Sequence, residues 1–178
     1  WIREGKEYSF GHLEQMAADA KPFKALIDPD APEFVPAGNI PERIRRYCRE
    51  SGQRVPENEA EIVRCIDESL AFKYRMTLEE IKMCTGREYP AIHMVGGGTQ
   101  SGLLCQMTAN ACHCPVIAGP VEATVLGNAA VQLLAAGELR DLDQVRSVAG
   151  ASAKVSIYEP KDTDQWEQVY GQYKKMLE

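Results

Sequence analysis

Apolar residues recur at the spacing of an α-helix over most of the chain. The first such run spans 9–20 and begins at Ser9, a residue type that favours helix N-caps. Its apolar positions are Leu13, Met16, Ala17 and Ala20. The next segment, 21–39, carries four prolines. Because proline lacks a backbone donor and restricts its neighbours, we expect an extended loop there.

Two asparagines predict the starts of the next two helices. Asn39 precedes an amphipathic run that stops at Gly52. Asn58 precedes the longest periodic run, over 58–85, which ends before Gly86. An asparagine side chain can accept a hydrogen bond from the first helical turn, and glycine readily adopts the left-handed conformation that ends a helix. Both helices are therefore bounded by sequence signals at each end.

The second half of the chain alternates short apolar runs with helical periodicity. Short apolar runs indicate buried strands, and the strand–helix–strand order favours parallel pairing. The predicted elements are a strand at 91–95, a helix at 100–112, a strand at 114–119 and a helix at 122–137. Since two strands make an unstable sheet, we expect the remaining strands to come from upstream sequence or from a neighbouring chain.

The C-terminal part predicts two more helices and one extended segment. A short helix runs from Asp141 or Asp143 to Val148, the segment 154–160 is extended, and an amphipathic helix covers 162–177. With 178 residues, the chain has the length of one domain or of part of a larger one. The elements together predict a helix-rich α/β protein with few strands.

Composition narrows the class of protein. A hydrophobic content of 44% is enough for a core, and a net charge of −6 argues against a nucleic-acid partner, which would favour a basic face. We find no run of about 18 apolar residues and no apolar leader, so neither a membrane span nor a signal peptide is expected. The chain starts without methionine, which suggests a fragment or a processed product that begins inside a structural element.

Side chains with catalytic or metal-binding chemistry are sparse. The six cysteines are Cys48, Cys65, Cys84, Cys105, Cys112 and Cys114. Four fall in helical patterns, so we expect buried free thiols in a cytoplasmic protein. The run Cys112–His113–Cys114 lacks the two intervening residues of a zinc pair, and no metal ligand is predicted. His93 is expected to be a core or sheet histidine, and no catalytic residue is assigned.

A glycine-rich stretch, "MVGGGTQSG" at 94–102, lies between a predicted strand and a predicted helix. It matches neither the G-x-G-x-x-G fingerprint nor the G-K-[ST] ending of a P-loop. One interpretation is a tight turn with positive φ, capped by Thr99, Gln100 or Ser101. The other is a bare backbone beside a helix N-terminus, which can take an anion or the flat face of a base.

A second stretch of small residues, "AGPVEATVLGNAAVQ", covers 118–132. Glu122 lies near the start of the predicted helix, where it interacts favourably with the helix dipole. The small side chains in this helix are Ala123, Gly127, Ala129 and Ala130. They allow close packing of a neighbouring helix, or they form one wall of a ligand cleft beside the glycine turn. Both interpretations remain open at this point.

Two long segments resemble a known family. "IHMVGGGTQSGLLCQMTANACHCPVIAGPVEATVLGNAAVQ" closely resembles the nucleotide-binding segment of the FGGY carbohydrate kinase family. The likeness continues upstream through "IDPDAPEFVPAGNIPERIRRYCRESGQRVPENEAEIVRCIDESLAFKYR" and so covers nearly the whole chain. The resemblance implies the actin-like, ribonuclease-H-like ATPase fold, with the active site between two lobes. Residues 1–178 would be most of the second, nucleotide-binding lobe, incomplete at its N-terminal side.

The resemblance also implies ligands and site residues. In the family the glycine turn packs against the adenosine and α-phosphate region of ATP, a role that transfers by position to Gly96, Gly97 and Gly98. Gln100 and Ser101 would reach the adenine or ribose side. The implied reaction transfers a phosphoryl group from ATP, with Mg²⁺, to a primary hydroxyl of a ketose.

Family features that this sequence lacks limit what the chain can do alone. The aspartate general base and the phosphate-binding "DGT" turn have no counterpart in it, so we expect the isolated chain to be inactive without the N-terminal lobe. Open strand edges would favour self-association. A kinase for another sugar, such as xylulose or fuculose, and a non-catalytic interaction module that keeps the fold remain as alternatives.

Overall fold

The computed structural model describes residue 1, residues 5–152 and residues 154–177. Its helices are α1 (Phe10–Asp19), α2 (Ile40–Glu50), α3 (Glu59–Thr85), α4 (Gly102–Cys112), α5 (Ala123–Ala135), α6 (Leu142–Ser152) and α7 (Thr163–Leu177). Its strands are β1 (Ile92–Met94), β2 (Val116–Ala118) and β3 (Ser156–Tyr158). Short 3₁₀ turns cover Pro32–Phe34 and Gly97–Gln100. The expectation that the chain begins inside an element concerns a stretch that includes 2–4, outside the described residues.

The predicted helix caps are confirmed. The side-chain oxygens of Ser9, Asn39 and Asn58 each accept a hydrogen bond from the backbone N–H three residues later, at 3.2, 3.2 and 3.0 Å. Gly86 ends α3 with a φ of +64°, and its N–H donates to the carbonyl of Lys82. These local bonds satisfy backbone groups that a helix end leaves unpaired, which explains why the sequence marks these boundaries so clearly.

The sheet contains one strand more than we predicted. β1 and β2 pair in parallel, as expected, with Ile92 opposite Val116. β3 pairs antiparallel with the other edge of β2, placing Ile157 opposite Ile117. The expectation that all further strands come from outside this chain was therefore wrong. The extended segment at 154–160 was recognised, but its pairing partner lies about forty residues upstream, and no local pattern encodes that distance.

Helices α3 and α4 form the centre of the molecule. The main core cluster joins α3 to α7 around Phe72, whose ring lies 5.1 Å from that of Trp166 and 5.3 Å from that of Tyr173. Helix α4 contributes to this cluster and also packs on the sheet, through Cys105 and Ala109. A third cluster, with Ile44, Cys48, Ile62 and Cys65 among its members, holds α2 against α3. The sheet and its following turns are therefore supported from one face by α4.

Helix α5 does not pack in the way its small residues suggested. A Cβ built on Gly127 would meet no atom within 4 Å, and Ala129 is exposed; only Ala130 is buried in the predicted set of four. Among the described elements α5 contacts mainly α6, and Val125 is 62% exposed. Of the two interpretations left open, close packing of a neighbouring helix is limited among the described elements to the contact with α6, and the wall of a ligand cleft stays a prediction.

Helix α6 is longer than its sequence pattern predicts. The helix predicted to stop near Val148 continues to Ser152, because a single glycine, Gly150, costs only about 1 kcal/mol relative to alanine and does not end a helix. All six cysteines are free: Cys48, Cys65 and Cys105 are buried, while Cys84 is exposed. No helix in the described residues is long and apolar enough to cross a membrane.

Candidate functional site

The glycine turn follows β1 directly and is held by its own backbone. Gly96 has a φ of +83° and a ψ of −164°, a conformation open essentially to glycine alone. Its carbonyl accepts hydrogen bonds from the backbone N–H of Thr99, at 3.1 Å, and from the Thr99 hydroxyl, at 2.7 Å. Thr99 therefore closes the turn rather than capping the following helix.

Only one of the three glycines needs the positive φ that a tight turn suggested. Gly97 and Gly98 belong to the 3₁₀ turn, and their φ values lie outside the left-handed region. A Cβ on Gly96 or Gly97 would meet nothing within 4 Å, and one on Gly98 would meet only the Met94 sulfur, at 3.8 Å. The turn thus presents backbone without side chains to open space. A positive φ explains the glycine at position 96 but not the glycines at 97 and 98.

A second turn lies beside the first, at the same edge of the sheet. The N–H of Gly119, just after β2, donates to the carbonyl of Met94 at 2.8 Å, and the N–H of Gly96 donates to the carbonyl of Pro120 at 3.1 Å. Since β1 and β2 are parallel, both turns lie at the carboxyl ends of their strands. In open α/β sheets ligands bind in the crevice at this edge. The geometry therefore makes the glycine turn the candidate binding site.

Ser101 links the glycine turn to α4. Its N–H donates to the carbonyl of Gly98 at 3.2 Å, and its Oγ accepts a hydrogen bond from the N–H of Leu104 at 3.1 Å. The hydroxyl also donates to Oε1 of Glu14, in α1, at 3.3 Å. Ser101 is thus a half-buried helix cap, as one of the two interpretations predicted, whereas Gln100 is exposed.

Glu14 was missed by the sequence analysis. Its Oε1 accepts a hydrogen bond from the backbone N–H of Leu103 at 2.6 Å, so a carboxylate already lies at the N-terminus of α4. That position would otherwise attract a phosphate. A carboxylate at this place repels a second anion, and this bears on the choice between an anion and the flat face of a base. No sequence signal pairs Glu14 with a residue 89 positions away.

Helix α3 carries two neighbouring acids, Asp67, which is half-buried, and Glu68, which is buried. Burial, together with the charge of Glu14, raises the pKa of Asp67 to about 6. Burial raises the pKa of Glu68 to about 7, against the opposing effect of Arg64. Nε of Arg64 donates to Oε1 of Glu68 at 2.7 Å, and Nη1 donates to the carbonyl of Ala17 at 2.9 Å. The Arg64–Glu68 ion pair therefore fixes the end of α1, the helix that carries Glu14.

The remaining candidate side chains do not converge on the turn. His93 is a sheet residue, as predicted, but its side chain is exposed rather than part of the core. His113 ends α4 with a φ of +54°, and its Nε2 lies 3.5 Å from a carboxylate oxygen of Glu167 in α7. The described residues contain no group of three or more histidines, cysteines or acids that could hold a metal ion.

Several known kinases resemble this chain in sequence or in fold. Residues 1–136 match the FGGY family of carbohydrate kinases, C-terminal domain. The rhamnulokinase of Bacteroides thetaiotaomicron is 40% identical over 169 residues, an alignment that covers 95% of this chain and 35% of that protein.

Two solved structures share the fold. The xylulose kinase of Rhodospirillum rubrum superposes with a TM-score of 0.68 at 16% identity, covering 98% of this chain and 35% of that one. The glycerol kinase of Plasmodium falciparum, solved with ADP, gives a TM-score of 0.69 at 14% identity, covering 99% of this chain and 35% of that one.

The chain spans about a third of the length of the relatives it matches. The superpositions also cover nearly all of the chain, including β3 and α7, which lie beyond the residues matched by the family model. They confirm the predicted fold class, a helix-rich α/β part of an actin-like sugar kinase fold. The match over most of its length establishes that this chain belongs to the FGGY family of carbohydrate kinases, within the C-terminal domain of that family.

Proposed function

We propose that residues 1–178 are the C-terminal nucleotide-binding lobe of an ATP-dependent rhamnulokinase. The reaction would convert ATP and L-rhamnulose to ADP and L-rhamnulose 1-phosphate. The observation that carries the nucleotide role is the bare backbone of the glycine turn, which faces open space at the carboxyl ends of two parallel strands. The choice of sugar is supported by 40% identity to a rhamnulokinase over 95% of the chain.

The turn would hold the nucleoside part of ATP. Gly96 and Gly97 would let the ligand approach the backbone closely, because they lack side chains and the space within 4 Å of each Cβ position is open. Gly98 continues the same surface, and the exposed Gln100 is free to reach the adenine or ribose edge. Ser101 would act through the cap that joins the turn to α4, since its hydroxyl is already bonded to α1 and α4.

The other parts of the reaction belong to the N-terminal lobe in this proposal. Phosphoryl transfer depends on positioning and on charge stabilisation by Mg²⁺ and a carboxylate. The described residues offer no cluster of metal ligands, and the acid nearest the glycine turn in the described contacts, Glu14, is bonded to α4. We therefore assign the metal contacts, the general base and the ketose contacts to residues outside this chain. Its own residues would bind and orient the nucleotide.

Partners and location follow from the same proposal. The partners would be ATP, a ketose and the N-terminal lobe, in a cytoplasmic enzyme. The edge of β1 that does not pair with β2 offers backbone groups to a further strand, either of the N-terminal lobe or of a second copy. Pairing with a second copy would produce the self-association that we expect of the chain on its own.

A coupled assay of ADP release tests the proposed function. The complete kinase that contains this chain is given ATP, Mg²⁺ and a panel of L-rhamnulose, xylulose and fuculose. We expect the highest kcat/KM with L-rhamnulose. A preference for another ketose would contradict the substrate but not the kinase. Sugar-dependent ADP release from none of them would contradict the kinase itself and support a non-catalytic module.

A further inference from the structure

We propose that Glu14 of α1 is a positioning residue for the glycine turn, an inference that rests on the proposed nucleotide role of that turn. Its Oε1 accepts hydrogen bonds from the Leu103 N–H, at 2.6 Å, and from the Ser101 hydroxyl, at 3.3 Å. Both donors belong to the junction between the turn and α4. Among the described residues, Glu14 is therefore the side chain of another helix that forms hydrogen bonds to this junction.

The junction transmits the position of Glu14 to the glycines. Ser101 is at once the residue that ends the 3₁₀ turn and the residue that caps α4. Its N–H donates to the carbonyl of Gly98, and the Thr99 N–H donates to that of Gly96. A displacement of Ser101 therefore moves the backbone of both glycines, because no side chain of their own anchors them.

Gly102, the first residue of α4, lies close to Glu14. A Cβ on Gly102 would lie 3.2 Å from the Tyr158 hydroxyl and 3.6 Å from Oε1 of Glu14. Gly102 has no positive φ, so the close approach of these two side chains, rather than conformation, favours glycine there. The bond from the Leu103 N–H to Oε1 of Glu14, at 2.6 Å, is direct.

Helix α1 is rigid enough to serve as the support. Ala17, one turn after Glu14, is fully buried against the rest of the molecule. Nη1 of Arg64 donates to the carbonyls of Ala17 and Ala18, at 2.9 and 3.0 Å, and Arg64 is itself held by Glu68. The C-terminal end of α1 is therefore fixed to α3, and Glu14 projects from a fixed helix.

The charge of Glu14 adds a second effect. A carboxylate at the N-terminus of an 11-residue helix compensates the helix dipole and repels another anion from the same place. The phosphates of a nucleotide would then extend away from α4, leaving the nucleoside on Gly96–Gly98. Glu14 would thus define both where the turn lies and which part of the ligand it receives.

Three substitutions test this role in the complete kinase. Glu14→Ala removes the acceptor, Glu14→Asp keeps the charge but shortens the side chain by one methylene, and Glu14→Gln keeps an acceptor oxygen at the same length. Gln15→Ala is the matched control, because Gln15 is exposed on the same helix and bonds only Asp19. The measurements are KM for ATP, KM for the sugar, kcat and amide hydrogen exchange over 96–104.

We expect Glu14→Ala and Glu14→Asp to raise KM for ATP by roughly 5- to 50-fold, as small misplacements of binding groups do. KM for the sugar should stay within about twofold, since this contact belongs to nucleotide positioning. Exchange over 96–104 should become faster in both variants. Glu14→Gln keeps the acceptor and loses the charge, so it should restore slow exchange over 96–104 and recover only part of KM for ATP, and Gln15→Ala should behave as the parent.

Two outcomes would overturn the proposal. The first is a Glu14→Ala or Glu14→Asp protein with a lower Tm but an unchanged KM for ATP. The second is unchanged exchange over 96–104. If the parent protein shows no ATP-dependent phosphorylation, the proposed function fails separately, and the exchange measurement still decides whether Glu14 positions the turn. If Glu14→Ala does not fold, the Asp and Gln variants provide the comparison.

Discussion

The backbone N–H of Phe23 donates to both carboxylate oxygens of Glu68, at 2.9 and 3.1 Å, although the two residues are 45 positions apart. Phe23 has a φ of +52°, which a bulky side chain rarely adopts. Its ring packs edge-on against Trp166, with centroids 4.8 Å apart. The same carboxylate is bonded to Arg64, which holds the end of α1. One buried acid therefore joins α1, the loop after it, and α3.

Replacing Glu68 with alanine should strongly destabilise the protein. The change leaves the Phe23 N–H without its acceptor and Arg64, whose side chain is 13% exposed, without its carboxylate partner. Removing one partner of a buried ion pair costs about 3–5 kcal/mol. Urea denaturation at pH 8, above the raised pKa of Glu68 of about 7, measures the loss. Glu80→Ala, at an exposed position of the same helix, should change the free energy of unfolding by less than about 0.5 kcal/mol. Equal effects of the two substitutions would contradict the assigned role.

The stability contribution of Glu68 should depend on pH. Its pKa is raised from 4.5 to about 7 in the folded state, mainly by burial. Between these values the folded protein holds a proton that the unfolded chain releases, so stability falls as pH rises through this window. The slope reaches at most about 1.4 kcal/mol per pH unit and vanishes outside it.

Comparison with Glu68→Gln isolates this effect. The amide does not titrate and can still accept from the Phe23 N–H, while the neighbouring Asp67 titrates in both proteins. We expect the stability of the parent, relative to this variant, to decrease from pH 5 to pH 7.5 in urea denaturation. A difference that stays constant over this range would show that the folded-state pKa of Glu68 is not raised.

Gly96 and Gly97 should respond differently to substitution. Gly96→Ala forces a side chain into a backbone conformation that costs about 1–3 kcal/mol, and we expect a lower Tm. Gly97→Val requires no positive φ, and its Cβ would meet no atom within 4 Å, so it should leave the stability of the chain nearly unchanged. Its side chain would instead occupy the proposed place of the nucleoside and raise KM for ATP in the complete kinase, an effect that saturating sugar does not reverse.

The Gly97→Val result separates two explanations of the glycine turn. A normal KM for ATP in a stable protein would mean that the turn has only a structural role. Gly98→Ala provides an intermediate case, because its Cβ would contact only the Met94 sulfur, at 3.8 Å. We expect a smaller increase in KM for ATP from this variant than from Gly97→Val.

Cys84 should be the thiol of this chain that reacts fastest. It is exposed near the end of α3, whereas Cys48, Cys65 and Cys105 are buried. Burial raises the pKa of Cys112 to about 12, which leaves little thiolate at neutral pH. Labelling with dithionitrobenzoate should lose a fast phase in Cys84→Ser and keep it in Cys112→Ser. Loss of the fast phase in the Cys112 variant instead would contradict the burial of that residue.

The sequence alone determined the features that depend on neighbouring residues. Ser9, Asn39 and Asn58 were identified as caps, and each bonds the backbone three residues later, as predicted. The parallel pair β1–β2 followed from the strand–helix–strand order, because a helical crossover of this length permits parallel pairing. The glycine turn and its likeness to one kinase family were equally visible, since both lie in contiguous residues.

Only the tertiary structure decided the relationships between distant residues. The antiparallel partner of β2, the carboxylate of Glu14 at α4 and the bond from Phe23 to Glu68 all join segments at least about forty positions apart. The turn itself illustrates the same limit. The three glycines were given one role, but only Gly96, whose N–H bonds the Pro120 carbonyl and whose carbonyl accepts from Thr99, has a positive φ; Gly97 and Gly98 do not. Local preferences are written in short patterns, whereas such contacts arise when packing brings particular groups within hydrogen-bonding distance.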